Sequence, residues 1–297
     1  MRPPLTPPDF RLWQMSDGYV VRGRVWEPPA PARRLIVYLH GIQSHGGWFE
    51  WSASILAAAG HVVLLPDRRG SGLNDADRGD TPSAEQWLAD IDAVVTQAAA
   101  EWPGLPLDLC GVSWGGKLAA AWAARRPGSA TRLLLVAPGV FPAVDVTTWQ
   151  RLSIGASLLF APARRFPIPL NDPALFSDNP AGRKFISDDP LKLTHATARF
   201  LFQSVRLDRA LARLRPGALP IPITLALAGR DRIIRNDRTA QWLARVAPTT
   251  AQVREFASAA HTLEFEADEV PFRKLLSEWS AAGPNGAPPS GPTATSA

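Results

Sequence analysis

Short apolar runs alternate with longer helical runs along most of this chain, and this alternation limits the folds open to it. Apolar runs of strand length are RLIVYLHG at 34–41, HVVLLPD at 61–67, LDLCGV at 107–112 and RLLLVAP at 132–138. Runs that are apolar throughout are typical of strands covered on both faces. Because helical runs separate them, the sequence predicts an α/β fold with a mostly parallel central sheet and helices on both faces.

The same alternation returns near the end of the chain. A strand, ITLALAG, is followed by a helix, DRTAQWLARVA, a second strand, AQVREFA, and a last helix, VPFRKLLSEWSAA. Between about 141 and 219 the pattern lapses, and THATARFLFQSVRLDRALARL is the only clear element there. We interpret residues 141–219, here called the insertion, as a helical lid or cap placed between two parts of one core. The predicted organisation is an N-terminal extension at 1–18, a core at 19–140 and 220–282, the lid at 141–219, and a polar, Pro-rich, disordered tail at 283–297.

Composition and charge argue against several other classes of protein. The chain of 297 residues is 46% hydrophobic and carries a formal charge of +5, but its basic residues are scattered and are not interleaved with aromatics. We therefore expect no nucleic-acid partner. Cys110 is the only cysteine, which excludes an internal disulfide and a cysteine metal cluster. The N-terminus lacks the apolar segment of a secretory signal, and no apolar run reaches the roughly 20 residues of a membrane span, so we expect a cytoplasmic protein.

The junction Gly111-Val112-Ser113-Trp114-Gly115-Gly116 joins a predicted strand to a predicted helix without a linker. A Gly-x-Ser-x-Gly sequence at such a junction is typical of a sharp, strained turn that exposes the serine at the carboxyl end of the sheet. Serine is a poor nucleophile unless a base activates it and an acid orients that base. The junction therefore predicts a catalytic serine, with partners further along the chain.

Two residues fit those partner roles. Asp231 follows the strand ITLALAG, and His261 follows the strand AQVREFA. The chain order Ser113, Asp231, His261 is the order that this kind of turn requires. The rival acids are Asp237, interpreted as a helix N-cap, and Asp145 in the insertion. The other histidines fit less well: His45 and His61 come early, His195 is predicted to start the insertion helix, and His40 fits a loop-shaping role.

An oxyanion hole is the third requirement of acyl transfer. One predicted donor is the backbone N–H of Trp114, which follows the serine. The other is the backbone N–H of Ile42, in the loop that follows the strand ending at His40. The segment DRRGSGLN at 67–74 looks like a phosphate loop but lacks its Lys-Ser/Thr ending, so we interpret it as a structural loop near the site. No cofactor or metal is expected.

From about 19 to 282 these features resemble the α/β-hydrolase fold, and more narrowly its monoacylglycerol lipase and lysophospholipase branch (serine aminopeptidase S33-like). The resemblance rests on His40-Gly41-Ile42, on the loop from Asp67 to Gly72, on the serine junction and on Asp189-Pro190-Leu191 in the insertion. It implies serine hydrolysis of small carboxylic esters, lipid esters among them, with Ser113, Asp231 and His261 as triad and Ile42 and Trp114 as backbone donors.

Several alternatives stay open at this point. Trp114 after the serine resembles the proline iminopeptidase branch, although HGIQSHGG does not match the oxyanion loop of those peptidases. An acyltransferase or a carbon–carbon bond hydrolase would use the same triad, and a binding protein on this fold would use none. The apolar, Arg-flanked stretch at 151–170 fits a fatty-acyl tunnel, transient contact with a membrane surface, or a lid that covers its own core. The sequence predicts neither the acyl length nor the oligomeric state.

Overall fold

The computed structural model describes residues 1–283, so the predicted disordered tail lies outside the described residues except for Gly283. An eight-stranded sheet forms the centre, in the order β1-β2-β4-β3-β5-β6-β9-β10. The strands β1 and β2 pair in antiparallel fashion, as do β2 and β4, and all the other neighbours in this sheet are parallel. The prediction of a mostly parallel sheet is therefore confirmed. The eight strands are β1 (Asp9–Gln14), β2 (Val20–Trp26), β3 (Leu35–Leu39), β4 (Val62–Pro66), β5 (Leu107–Val112), β6 (Arg132–Val136), β9 (Ile223–Ala228) and β10 (Ala251–Phe256).

Helices cover both faces of this sheet. One pair in contact is α1 with α8, and another is α2 with α3. Every residue of β3, β4, β5 and β6 is buried, which is the pattern expected of strands covered on both sides. Helix α2 begins where the Ser83 side chain accepts a hydrogen bond from the Gln86 N–H. These helices are α1 (Glu50–Ala58), α2 (Ala84–Glu101), α3 (Trp114–Arg125), α7 (Asn236–Val246) and α8 (Val270–Ala281).

The N-terminal extension contributes a strand to the sheet that was not predicted from the sequence. Strand β1 pairs along its whole length with β2, with Asp9 opposite Val25 and Gln14 opposite Val20. Phe10 and Leu12 point to solvent at the edge of the sheet, whereas Trp13 is buried. The alternation of exposed and buried side chains in β1 is short and follows a Pro-rich segment. The sequence therefore did not indicate a strand there.

The insertion holds more regular structure than the sequence indicated. Helix α6 corresponds to the predicted helix but begins later, at Ala198, where the Thr197 side chain caps the Phe200 N–H. The expectation that His195 starts this helix is wrong, because His195 lies in a short strand that pairs with Pro167. The helices and strands here are α4 (Thr148–Phe160), β7 (Arg165–Pro167), α5 (Pro180–Asp188), β8 (His195–Thr197) and α6 (Ala198–Ala212).

Two further details concern the start of α7 and the length and apolar character of the helices. Asp237 is not the N-cap that the sequence suggested; Arg235 occupies that position, and Asp237 lies in the first turn of α7. Among the described residues, no helix combines the length and apolar character needed to cross a bilayer.

Candidate active site

The serine turn has the strained geometry that its sequence predicted. Ser113 lies between β5 and α3 with φ 52° and ψ −121°, a region that non-glycine residues rarely occupy. Glycines make this turn possible. A Cβ on Gly115 would lie 2.1 Å from the Leu39 carbonyl oxygen, and one on Gly111 would lie 2.6 Å from the Gly115 carbonyl oxygen. The close approach of β3, β5 and α3 thus requires glycine on both sides of the serine.

Ser113, His261 and Asp231 come together in one hydrogen-bonded chain. Ser113 Oγ lies 2.8 Å from His261 Nε2, and His261 Nδ1 lies 2.7 Å from Asp231 Oδ2. The second Asp231 oxygen accepts the N–H groups of Ile233 and Ile234 at 2.8 and 3.0 Å, so the carboxylate is held at both oxygens. The His261 and Asp231 side chains are almost fully buried. A hydroxyl, an imidazole and a buried carboxylate in this order can move a proton away from the serine.

The two residues predicted to supply oxyanion donors border the same cavity as the serine. Ile42, Ser113 and Trp114 line one cavity. Within residues 1–283, the backbone N–H groups of Ile42 and Trp114 donate to no backbone or side-chain acceptor. Trp114 is the first residue of α3, where N–H groups have no acceptor inside the helix. Both donors are therefore available to a bound oxyanion.

Arg68, which the sequence analysis did not single out, holds the loop that carries Ile42. Its guanidinium donates to the carbonyl oxygens of Gly41 and Ile42 at 3.0 and 2.9 Å. It also stacks over the Trp114 ring, with 4.6 Å between Cζ and the ring centroid. Burial lowers the pKa of Arg68 to about 9. The segment 67–74 therefore supports the oxyanion loop, as the sequence analysis expected.

His40 has the loop-shaping contacts that the sequence analysis favoured. Its Nε2 accepts the Arg68 N–H at 2.8 Å, and its Nδ1 lies 2.8 Å from the Gly41 carbonyl oxygen. Burial, together with the nearby Arg68 charge, lowers the pKa of His40 well below its usual range. A neutral His40 fixes the two loops next to the serine.

His45 and Asp145, which were weighed against His261 and Asp231 as partners of the serine, make contacts elsewhere. His45 Nε2 is 3.2 Å from Asp189, whose carboxylate also accepts the Trp48 Nε1–H at 2.6 Å. Burial tends to raise the pKa of Asp189, but these hydrogen bonds outweigh it and leave that pKa lowered. The Asp-Pro-Leu segment of the insertion is thereby fastened beside the oxyanion loop. Asp145 pairs with Arg151 on the surface of the insertion.

The cavity that contains Ser113 lies between the sheet and the insertion and has a volume of about 550 Å³. Apolar side chains from α4 and α6 form much of its wall. Their positions are Ile154, Leu158, Leu201, Phe202 and Val205.

The cavity wall also contains a buried polar cluster that the sequence analysis missed. Lys117 of α3 reaches Ser204 and Asp208 of α6. The lysine and its partners are about 90 residues apart, so no local pattern pointed to the pair. Within residues 1–283, no group of three or more His, Cys, Asp or Glu side chains is arranged to hold a metal ion.

Comparisons with known proteins identify the family of this chain. The family model described as serine aminopeptidase, S33, matches residues 30–268. Human monoglyceride lipase is 27% identical over 259 residues, which cover 86% of this chain and 84% of that protein. The monoacylglycerol lipase of Mycolicibacterium smegmatis is 27% identical over 86% of this chain and 90% of its own length.

Solved structures show the same architecture. A soluble variant of monoglyceride lipase from Saccharomyces cerevisiae, in complex with a substrate analog, has a TM-score of 0.81 at 16% identity and covers 94% of this chain and 98% of its own. The monoacylglycerol lipase of Paleococcus ferrophilus has a TM-score of 0.75 at 21% identity and covers 88% and 98%. Fold, serine turn and family match agree: this chain has the α/β-hydrolase fold and belongs to the serine aminopeptidase S33 family.

Proposed function

We propose that this protein is a serine carboxylester hydrolase that works through an acyl-enzyme on Ser113. The observation that carries the proposal is the unbroken chain from Ser113 Oγ through His261 to Asp231, with contacts of 2.8 and 2.7 Å. Relatives named monoglyceride lipase, monoacylglycerol lipase and phospholipase agree with ester hydrolysis.

The first step forms the acyl-enzyme. His261 Nε2 takes the proton of Ser113 as Oγ attacks the ester carbonyl carbon, and Asp231 stabilises the imidazolium that results. The tetrahedral oxyanion lies against the N–H groups of Ile42 and Trp114. A donor of this kind typically contributes about 3 kcal/mol to lowering the barrier. His261 then gives its proton to the leaving alcohol as the ester C–O bond breaks.

The second step releases the acid. Water enters where the alcohol left, His261 takes one of its protons, and the oxygen attacks the acyl carbon. The tetrahedral intermediate collapses, the acyl–Oγ bond breaks, and Ser113 recovers its proton from His261. The carboxylic acid leaves, and the free enzyme is restored without a redox partner.

The insertion has the features of a lid for an acyl substrate. Its apolar side chains line the cavity, which suits a monoacylglycerol, a lysophospholipid or another small acyl ester. We propose that α4 also contacts an anionic lipid surface transiently. Apolar side chains of α4 face solvent, and Arg164 and Arg165 lie four and five residues beyond the end of the helix at Phe160. The exposed side chains are Trp149, Leu152, Leu159 and Phe160.

Vesicles test this surface contact. The wild type should sediment with vesicles that contain anionic phospholipid, and a Trp149→Ser/Phe160→Ser variant should remain in the supernatant. Equal sedimentation of both proteins, with unchanged hydrolysis of a water-soluble ester, would remove lipid contact from the role of α4.

Aminopeptidase activity is less well supported by the cavity. Binding a substrate amino terminus needs an unpaired carboxylate in the site. Asp145 and Asp208 line the cavity, but Asp145 pairs with Arg151 and Asp208 pairs with Lys117. Neither carboxylate is free of a cation, so an ester remains the better substrate.

The proposed function is tested by kcat/KM on aryl esters from acetyl to palmitoyl, with Ser113→Ala as the blank. We expect turnover that depends on Ser113, and a chain-length optimum that reports the depth of the cavity. Turnover of proline-aryl amides without turnover of any ester would support the peptidase instead. Product formation only when an acceptor alcohol is added would identify an acyltransferase.

A further inference from the structure

The wall of the active-site cavity contains a charged pair that ester hydrolysis itself does not use. Lys117 lies one turn of α3 beyond Ser113, and its side chain is about 4% exposed. Its Nζ donates to Ser204 Oγ at 3.0 Å and to Asp208 Oδ1. Ser204 also accepts the Trp114 Nε1–H at 2.9 Å. The cluster of Lys117, Ser204 and Asp208, here called the polar wall, is thus joined to the residue that follows the nucleophile.

The polar wall faces the space where a substrate would lie. Its three residues line the same cavity as Ser113 and Ile42. Four residues of helix rise by about 6 Å, so the Lys117 backbone lies just over one helical turn from the serine. Apolar side chains of α4 and α6 line much of the rest of the cavity, together with Arg151 of α4 and Arg209 of α6. An acyl chain that enters the apolar part therefore passes close to the polar wall.

Burying the Lys117–Asp208 pair costs desolvation free energy, and the other charged residues of the cavity lining, Asp145, Arg151 and Arg209, do not remove that cost. Burial lowers the pKa of Lys117 and raises that of Asp208, and each partner partly reverses the effect on the other. An apolar pair would join α3 to α6 at no such cost. The wall of a simple fatty-acyl tunnel has no need for an ammonium and a carboxylate.

Hydrogen-bonding capacity remains on both members of the pair. A lysine ammonium has three N–H donors, and within residues 1–283 Lys117 uses two of them. Within the same residues, Asp208 Oδ2 accepts no hydrogen bond. A free donor therefore lies beside a free acceptor in the cavity wall.

We propose that the polar wall is a specificity subsite for a hydroxyl group on the acyl chain of the substrate; this inference rests on the proposed ester hydrolysis. A hydroxyl accepts a hydrogen bond from Lys117 and donates one to Asp208, which matches the free positions of the pair. A carboxylate on the substrate would be repelled by the negative charge of Asp208. An ammonium would be repelled by the positive charge of Lys117. The preferred substrates are esters of hydroxylated acids rather than of plain fatty acids.

The experiment compares ethyl octanoate with ethyl esters of octanoic acid that carry a hydroxyl at the third, sixth or eighth carbon. Ethyl nonanoate serves as the apolar match for the last of these, and monoethyl suberate places a carboxylate at the far end. Each ester is assayed with the wild type, Lys117→Met and Asp208→Asn, with Ser113→Ala as the blank. Lys274→Met, on the exposed surface of α8, is the matched control for loss of a lysine.

We expect the wild type to favour a hydroxylated ester by about tenfold in kcat/KM at one of the positions, the size typical of a hydrogen bond to a charged group. Lys117→Met should bring this ratio close to one, and Lys274→Met should leave the ratio unchanged. A merely structural pair would lower the melting temperature of Lys117→Met but leave the ratio as it was. If Lys117→Met does not fold, the subsite is tested by the ratio of kcat/KM for hydroxylated over plain ester in the wild type and in Asp208→Asn.

Three outcomes would overturn the subsite. They are a wild-type ratio near one at every position, an unchanged ratio in Lys117→Met, and a preference for the suberate ester. In each case hydrolysis that depends on Ser113 would leave the proposed function standing. No hydrolysis of any ester above the Ser113→Ala blank would overturn both.

Discussion

The two sides of the active-site cavity are built differently. On the sheet side, β5 and β6 are buried along their whole length, and the turn at Ser113 is held by backbone contacts that leave no room for a Cβ at Gly115. On the insertion side, α4 buries only Ile154 and Ser157. Trp149 and Phe160 of that helix are 79% and 88% exposed. The sheet side therefore holds Ser113 rigidly, whereas the insertion forms the more exposed side of the cavity.

This difference separates catalysis from specificity. Substitutions at the sheet side should change kcat or stability strongly, because buried packing and a strained turn leave few ways to relax. Substitutions on the outer face of the insertion should change stability little, since the side chains there make few buried contacts.

The largest expected effect follows from removing the charge that orients His261. Asp231→Asn should lower kcat by about 10⁴-fold, because an amide favours the wrong imidazole tautomer and does not stabilise the imidazolium. Asp188→Asn is the matched change in the insertion, where Asp188 pairs with Lys184 on the surface, and it should change kcat less than about twofold. Single-turnover kinetics on one aryl ester measures both. Similar losses of kcat in the two variants would contradict the separation of catalysis on the sheet side from specificity on the insertion side.

Glycine substitutions should distinguish the two sides by stability. Gly115→Ala places a Cβ 2.1 Å from a backbone oxygen of Leu39 and should cost at least about 3 kcal/mol of unfolding free energy or prevent folding. Gly155→Ala, inside α4, meets nothing within 4 Å and should stabilise the protein by up to about 1 kcal/mol. Urea unfolding gives both values. A tolerated Gly115→Ala would show that the turn is less tightly packed than its contacts indicate.

The pH dependence of stability should come in part from the sheet side. Glu264 follows His261 closely, is buried, and accepts the Ser52 N–H at 3.0 Å. Burial raises its pKa from 4.5 to about 7. The folded state therefore holds this proton more tightly than the unfolded chain does. The contribution of protonated Glu264 to stability is fully present below pH 4.5 and is lost as the pH rises through 7.

Glu264→Gln should remove this loss. Between pH 5 and pH 8 the wild type should lose about 2 to 3 kcal/mol more unfolding free energy than the variant. Urea titrations of the two proteins at both pH values measure the difference. Parallel pH profiles would show that Glu264 is not protonated in the folded state.

The smallest effect is expected on the outer face of the insertion. Phe160→Ala should change the unfolding free energy by less than about 0.5 kcal/mol, because the ring is already in solvent. Phe200, on α6, is fully buried and stacks on Trp114, so Phe200→Ala should cost about 3 to 5 kcal/mol. Thermal unfolding of the two variants measures both effects. A large difference would place the boundary between tightly packed and exposed structure inside the insertion, between α6 and α4. A costly Phe160→Ala would mean that α4 is packed against something in solution.

The sheet and the positions of the three site residues could be predicted because their signals are local. A buried parallel strand is apolar at every position, and the serine turn concentrates glycines around one residue. Asp231 and His261 follow strands whose carboxyl ends meet at the same edge of the sheet. The apolar runs and their order along the chain therefore predict where these residues lie.

The insertion was harder to predict for physical reasons. Helix α4 faces solvent on most sides, so its apolar residues do not form a single stripe, and Thr147 and Gln150 mark its start only through a capping box. In α5 a proline occupies the first turn after the Asn179 cap, and this resembles a loop in sequence. The Lys117–Asp208 contact joins two helices and is decided by tertiary packing, which periodicity does not encode.

The central claim is that Ser113 is a nucleophile activated by His261. Its most direct test is labelling with a fluorophosphonate, followed by intact-protein mass spectrometry and peptide mapping, on the wild type and on His261→Ala. We predict one adduct per chain, on Ser113, in the wild type and almost none in the variant over the same time. Equal labelling of the two proteins, or an adduct on another residue, would contradict the account.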